Sequence, residues 1–366
     1  MKKKLLVYGA GAIGRGYLPW VYDPEHYEFH FVEKNEAIRN RLNEQKAYTT
    51  YMTMGDHYDS KRVPVMHCFK PGEETEFLSK ADAILTAVGP RNFMQLQDYV
   101  KSVAAPVICF ENDSNLPVMM RKSTGKQNIV FAIPDVITSS TATKDLLNKD
   151  PLSIITEQGK CFVDDRVKSL GGDCEYVDSV ELHKQWQAKL YIHNTPHCIA
   201  AYFGSMLDVE YLHNSMEHKT VVKIIEGTMD EMIEMLCRKY DLDRGFLRYY
   251  ADKEISRFSN LLLCDPISRV AREPFRKLAR NERLIGAASL CLSTGIVPEN
   301  LMKGIMAAFC FDKKNDPDYH ISFLINSLTP EDFLRIIIGL RPGEALFEAL
   351  IERWDANLKL ITKLKK

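Results

Sequence analysis

The sequence has no Cys-x-x-Cys pair, no long apolar run, no internal repeat and no excess of charge of either sign. Each absence excludes a class of protein. The nine cysteines are scattered and odd in number, which argues against a disulfide framework or a structural zinc site. They read as reduced, mostly buried thiols of a cytoplasmic protein. No stretch approaches the ~20 apolar residues that span a bilayer. The basic start, Met1 to Lys4, is followed by too short an apolar stretch for a signal peptide, because Tyr8 and Gly9 already belong to another pattern. A formal charge of −1 gives no general attraction to nucleic acid or anionic lipid.

What is present is the profile of a globular protein, with 45% hydrophobic and 27% charged residues. A length of 366 residues suits two domains. In the N-terminal half, short apolar runs alternate with polar helical stretches, the mark of a parallel sheet wrapped by helices. Strands are expected at 4–8, 28–32, 82–88, 106–110 and 128–132. Residues 47–69, rich in Thr, Tyr, Val and Met around Gly55-Asp56, read as an added β-hairpin. Further short strands are expected near 152–155, 161–163 and 174–177. From about Ser179 the texture becomes helical, as in 221–239, 284–292 and 330–340, punctuated by Pro298, Pro317, Pro330 and Pro342. The expected architecture is an α/β Rossmann-type domain over 1–178 and an all-α domain over 179–366.

Gly9-Ala10-Gly11-Ala12-Ile13-Gly14 follows the first strand and opens a helical stretch, the context a G-x-G-x-x-G pattern requires. Gly9 permits a tight turn, Gly11 lets backbone amides approach a pyrophosphate, and Gly14 allows close packing. The second strand ends at Glu33, whose carboxylate can accept from ribose hydroxyls and would repel a 2′-phosphate. NAD is therefore expected over NADP, a preference that the neighbouring Lys34 softens. Thr86-Ala87-Val88-Gly89-Pro90, at the end of a later strand, is placed to pass beside the nicotinamide, so Thr86, Val88 and Gly89 join the candidate cofactor residues with Ala12 and Ile13.

Hydride transfer from an alcohol needs a base for the hydroxyl proton and donors for the oxygen. The segment Lys189-Leu190-Tyr191-Ile192-His193-Asn194-Thr195-Pro196-His197 offers both. On an ideal helix Asn194 and His197 lie one turn apart, with Lys189 in the same broad sector. Pro196 is expected to kink or restart that helix. By spacing alone, a snorkelling lysine and a satisfied core histidine explain the segment better than a site does.

Lys189, Asn194 and His197 match the Lys-x4-Asn-x2-His motif of the polyol-specific long-chain dehydrogenases, the mannitol dehydrogenase family. Similarity to its mannitol 1-phosphate branch extends through Gly9-Ala10-Gly11…Ile13-Gly14-Arg15-Gly16, Thr86 to Pro90, and Arg257-Phe258…Asp265…Arg269-Val270…Arg272…Pro274…Arg276-Lys277-Leu278. It runs from residue 5 to about 318. The resemblance implies that Lys189 is the general base and that Asn194, with Asn112 as partner, binds the carbinol oxygen. It further implies that His197 orients substrate or holds Lys189, with no metal. Two departures stand out. Pro196 replaces the glycine of relatives, and Ile133-Pro134-Asp135-Val136-Ile137-Thr138 replaces an Asp-Arg-Ile segment that helps hold the polyol.

Arg272, Arg276, Lys277, Arg280 and Arg283 fall close together and suit a phosphate monoester, although Pro274 argues for a break in any helix there. A solvated basic surface paired with Glu273 and Glu282 is the alternative. The expected function is NAD-dependent interconversion of a sugar alcohol phosphate and its ketose phosphate, with mannitol 1-phosphate and fructose 6-phosphate as the leading pair. The rivals are a dehydrogenase of an unphosphorylated polyol, a hexuronate reductase of the tagaturonate type, and an NAD-binding sensor without turnover. A small-molecule partner is expected, with neither nucleic acid nor membrane. The oligomeric state is open, a monomer included.

Overall fold

The computed structural model describes residues 1–365. The chain forms two compact units, Met1–Trp186 with Leu262–Cys264, and Gln187–Leu261 with Asp265 onward. The division after Trp186 falls inside the helix Ser179–Ala188.

The first unit is built on ten strands: β1 (Lys3–Tyr8), β2 (Tyr27–Val32), β3 (Ala47–Met54), β4 (His57–Phe69), β5 (Ala83–Thr86), β6 (Val107–Cys109), β7 (Ile129–Asp135), β8 (Ile154–Glu157), β9 (Lys160–Asp164) and β10 (Glu175–Val177). Their order in the sheet is β10-β9-β7-β6-β5-β1-β2-β4-β3-β8. From β4 across to β7 every neighbouring pair is parallel. That stretch reproduces the 3-2-1-4-5-6 order of a doubly wound dinucleotide fold, whose direction of winding reverses between β1 and β5. β1 from Leu5 onward and β5 are mostly apolar and buried on both faces, as a parallel sheet covered by helices demands.

The hairpin expected at 47–69 is present. β3 and β4 pair antiparallel from Ala47↔Pro64 to Met54↔His57, which leaves Gly55-Asp56 as a two-residue turn with Gly55 at φ +61°. β4 is long enough to change partners, meeting β3 first and then running parallel to β2. The sheet is less purely parallel than the alternation predicts, because β7 also pairs antiparallel with β9. The segment that departs from the family, Ile133 to Thr138, continues β7 through Asp135 and reaches Thr138, which bridges Thr156; all six residues are buried.

The second unit is helical. Its centre is the helix Thr195–Met206, every residue of which is buried. Lys219–Tyr240, Glu299–Phe309 and Ile267–Val270 pack around it. Two glycines permit this approach. A Cβ on Gly204 would meet the Ser215 hydroxyl at 2.2 Å, and one on Gly304 would meet the Ile199 side chain at 2.6 Å. The C-terminal helix Ala345–Leu364 closes the far side, where Trp354 packs with Phe309 and Phe333. The 330–340 stretch forms one short α turn and a π turn rather than a regular helix. Among the described residues no helix is long and apolar enough to cross a membrane.

The glycine turn after β1 is sterically determined. Gly9 has φ +94°, and a Cβ there would lie 2.4 Å from the Ala87 carbonyl oxygen. A Cβ on Gly14 would lie 1.9 Å from the Gly9 carbonyl oxygen. Around Gly11, by contrast, nothing lies within 4 Å. Gly14→Ala is therefore expected to destabilise the first unit by about 2–3 kcal/mol through overpacking, whereas Gly11→Ala should change stability by no more than about 0.5 kcal/mol. Thermal denaturation of the two variants checks this; equal midpoints would contradict the geometry.

Candidate dehydrogenase site

In the first unit the chain leaves β1 through Gly9 and enters a π turn, Ala12–Tyr17, that continues as the short helix Leu18–Val21. A π turn leaves carbonyls that an α-helix would bond, and side chains from β3 take two of them. The Tyr48 hydroxyl donates to the Arg15 carbonyl at 2.8 Å and the Thr50 hydroxyl to the Gly16 carbonyl at 2.7 Å. Arg15 is buried, and its Nε donates to the Ala10 carbonyl at 2.9 Å. Ala12, Ile13 and Gly14 lie in the first turn, where backbone amides have no acceptor within the helix. With open space at Gly11, this is the part of the first unit that could hold a pyrophosphate.

Glu33, at the end of β2, is buried. It accepts the Ala10 amide through one oxygen and the Asn35 amide through the other, both at 2.8 Å. Each oxygen retains a second lone pair for a ribose hydroxyl. Thr86 is fully buried at the end of β5. The next residues form a loop in which Val88 and Gly89, the latter at φ +85°, donate their amides to the two oxygens of Glu111 at 2.9 and 2.8 Å. Asn112 follows, half-buried, at the end of β6. Glu111 itself was not foreseen. The sequence marked it only as the neighbour of Asn112, and a lone Glu between a strand and an Asn carries no local signal.

In the second unit Lys189, Asn194 and His197 are all buried. Lys189–Asn194 is a π turn set between the helices Ser179–Ala188 and Thr195–Met206. The turn changes which side chains share a face. In an α-helix, residues five apart are rotated by about 140°, whereas at the ~4.4 residues per turn of a π-helix they differ by only about 50°. Lys189 and Asn194 are thereby brought to one side. Pro196 is expected to kink or restart the helix, and the α-helix does restart at Thr195, directly after the π turn. Proline sits in the first turn of Thr195–Met206, where its missing amide is tolerated. The Thr195 amide bonds back to the Leu190 carbonyl, which also shares the Thr195 hydroxyl with the Arg283 carbonyl.

His197 Nε2 donates to Asp265 Oδ2 at 3.0 Å, and Arg269 donates to Asp265 Oδ1 through Nη2 at 2.6 Å and through Nε at 2.7 Å. Burial pushes the His197 pKa below its usual value, against the pull of Asp265. Burial also opposes ionisation of Asp265, but Arg269 and His197 outweigh it and hold that carboxyl below the ordinary range. His197 is therefore a neutral imidazole clamped in one tautomer. A second chain of the same kind lies beside it. His193 Nδ1 meets Glu254 at 2.5 Å, Glu254 also pairs with Arg257, and the two imidazole centroids are 5.0 Å apart. His193 and Glu254 were not singled out from the sequence.

The basic cluster is divided by the fold. The break at Pro274 is present: Ile267–Val270 and Pro274–Lys277 are separate turns, with Glu273 between them at φ +59°. Arg272 is exposed. Arg276 pairs with Glu273 at 2.9 Å and, more loosely, with Glu282. Arg280 is exposed and bound to Glu344 at 2.7 Å. Lys277 is buried, bonded to the Val270 carbonyl and set over the Tyr202 ring at 5.3 Å. Burial, with help from Arg283, Arg276 and Arg272, pushes its pKa down to about 7.

Asp265→Asn removes the negative charge and one of the two acceptor oxygens that serve His197 and Arg269. It is expected to destabilise the second unit by about 3 kcal/mol, read as a lower urea midpoint with an unchanged slope. An unchanged midpoint would show that the buried pairs do not hold this region together.

Comparison with known proteins follows this division of the chain. The mannitol dehydrogenase Rossmann domain matches residues 3–106, and the mannitol dehydrogenase C-terminal domain matches residues 181–321. The mannitol-1-phosphate 5-dehydrogenase of Caldanaerobacter subterraneus subsp. tengcongensis is 27% identical, over 96% of this chain and 97% of its own. The enzyme of that name from Arthrobacter sp. is 29% identical, over 97% and 100%. Among solved structures, Pseudomonas fluorescens mannitol 2-dehydrogenase in ternary complex with NAD and D-mannitol shares the fold at a TM-score of 0.77 and 14% identity, over 99% of this chain and 94% of that one. A D-sorbitol dehydrogenase in substrate-free form shares it at 0.66 and 12%, over 99% and 92%. The chain belongs to the mannitol dehydrogenase family, a family of dinucleotide-dependent oxidoreductases.

Proposed function

We propose that this chain is an NAD-dependent dehydrogenase that interconverts a sugar alcohol phosphate and its ketose phosphate, with mannitol 1-phosphate and fructose 6-phosphate as the pair. The observation that carries the reading is the buried π turn that aligns Lys189 with Asn194, one turn before a histidine fixed by Asp265. The names of the relatives support the substrate class.

Gly9, Gly11, Ala12, Ile13 and Gly14 cradle the pyrophosphate, and Thr86, Val88 and Gly89 line the nicotinamide end. Glu33 takes ribose hydroxyls, which disfavours a 2′-phosphate and supports NAD. NAD, when bound, supplies the hydride acceptor. Lys189 Nζ takes the hydroxyl proton during oxidation and returns it during reduction. Asn194, with Asn112 as partner, donates to the carbinol oxygen as negative charge gathers there. His197, held neutral, orients the substrate or Lys189. No metal is called for, because lysine and amide donors perform both tasks. Residues 1–178 serve as the cofactor domain and 179–366 as the substrate domain, with Arg272, Arg276, Lys277 and Arg280 as candidates for the phosphate.

A second reading, a dehydrogenase of an unphosphorylated polyol or a hexuronate reductase, is favoured by one observation. Arg276 and Arg280 already hold carboxylates of the chain itself, so their charge is partly spent. Initial rates of NAD reduction with mannitol 1-phosphate, mannitol and a hexuronate-derived alcohol separate the two. Turnover confined to the unphosphorylated compounds would overturn the phosphate assignment. For the base, Lys189→Ala should lower kcat by about 10²- to 10⁴-fold while NADH still binds; a variant with wild-type turnover removes Lys189 from the chemistry.

A further inference from the structure

We propose that Glu111 is a positioning residue of the dinucleotide site, one that shapes the nicotinamide-end loop through the Val88 and Gly89 amides and makes cofactor affinity depend on its own ionisation. The proposal rests on the reading that the glycine turn binds a dinucleotide.

Val88 and Gly89 present consecutive backbone amides to a single point, an arrangement that binds anions. The anion here is supplied by the chain. Both oxygens of Glu111 are used, one per amide, and the side chain is buried. Turning both amides inward fixes the path of the loop. Val88 then offers its carbonyl to the Asn92 side-chain amide at 2.8 Å, and the Ala87 carbonyl lies hard against Gly9. Glu111 thus acts on the glycine turn through one intervening loop. Glu33 does the corresponding work from the other side by taking the Ala10 amide. Two carboxylates, at the ends of β6 and β2, brace the turn that lies after β1.

A carboxylate satisfies two amide donors, whereas a protonated carboxyl presents its own hydrogen to one of them. Burial pushes the Glu111 pKa up to about 7, while the Val88 and Gly89 amides and the Thr86 hydroxyl pull the other way. The titratable group next to it is the Cys109 thiol, which burial and Glu111 together hold well up, and Arg121 of the helix Asn115–Thr124 acts on that thiol from the next layer. His30, on β2, is pushed down to about 4 by burial and so does not titrate in the same range. Above pH 7 Glu111 is ionised and the loop is held; below it the grip loosens.

The test measures binding, not turnover. NADH is titrated into the wild-type protein from pH 6 to 8.5, following its own fluorescence. If only the ionised form is competent, affinity at pH 6 is expected to be about tenfold lower than at pH 8, the fraction still ionised. Glu111→Gln keeps the size and removes the charge, leaving one amide facing the side-chain NH2. It should bind NADH at least about tenfold more weakly at pH 8 and lose the pH dependence. Hydrogen exchange of the Val88 and Gly89 amides in the cofactor-free protein, corrected for intrinsic pH effects, reads the loop independently. Protection should fall below pH 7 in the wild type and be low at every pH in Glu111→Gln, with the thermal midpoint confirming that the variant is folded. Wild-type affinity and slope in a folded Glu111→Gln would overturn the proposal. A wild type that shows the exchange behaviour yet binds no NADH would overturn the cofactor reading and, with it, the claim about affinity, while leaving Glu111 as the anchor of the loop.

Discussion

The first unit depends on buried carboxylates satisfying backbone amides at the point where the sheet reverses its winding. A tight turn at the end of β1 exposes amides that neither strand nor helix can bond, and a buried amide without an acceptor costs about 1–3 kcal/mol. Glu33 and Glu111 remove that cost for Ala10, Asn35, Val88 and Gly89. Beside those engaged amides, the helix starts at Ala12, and the space around Gly11 is open.

The second unit solves a different problem with related means. A lysine, an asparagine and two histidines are buried along one helix, and each must be partnered or neutral. The π turn gathers Lys189 and Asn194 on one side. Asp265 and Glu254 each hold one histidine and are themselves held by arginines four and three residues along the chain. The two imidazoles, each held by a carboxylate, pack on Phe258 as a rigid cluster. Under the proposed function rigidity matters, because a base and an oxygen donor must keep a fixed spacing for proton transfer to be efficient.

Much of this was legible in the sequence because it depends on periodicity and local steric rules. The alternation of apolar runs, the hairpin at Gly55-Asp56 and the glycine turn are properties of neighbouring residues. So is the break at Pro274. Other features were visible but incomplete in isolation. Pro196 marks the restart of the helix, but the π turn just before it leaves no local signal. The run from Arg272 to Arg283 reads as one basic patch, yet Glu273 and Glu344 claim Arg276 and Arg280, and Lys277 is turned inward under Tyr202.

The sequence by itself determined the positions of the sheet's central strands, the place of the glycine turn and the spacing of Lys189, Asn194 and His197, because each is encoded within a few residues along the chain. Only the tertiary structure decided the partners. Glu111 meets amides 22 and 23 residues away, His193 meets Glu254 61 residues on, and His197 meets Asp265 68 residues on. Such pairs are selected by packing, which buries a polar group first and then requires whatever complementary atom lies in reach, and no local pattern records that choice.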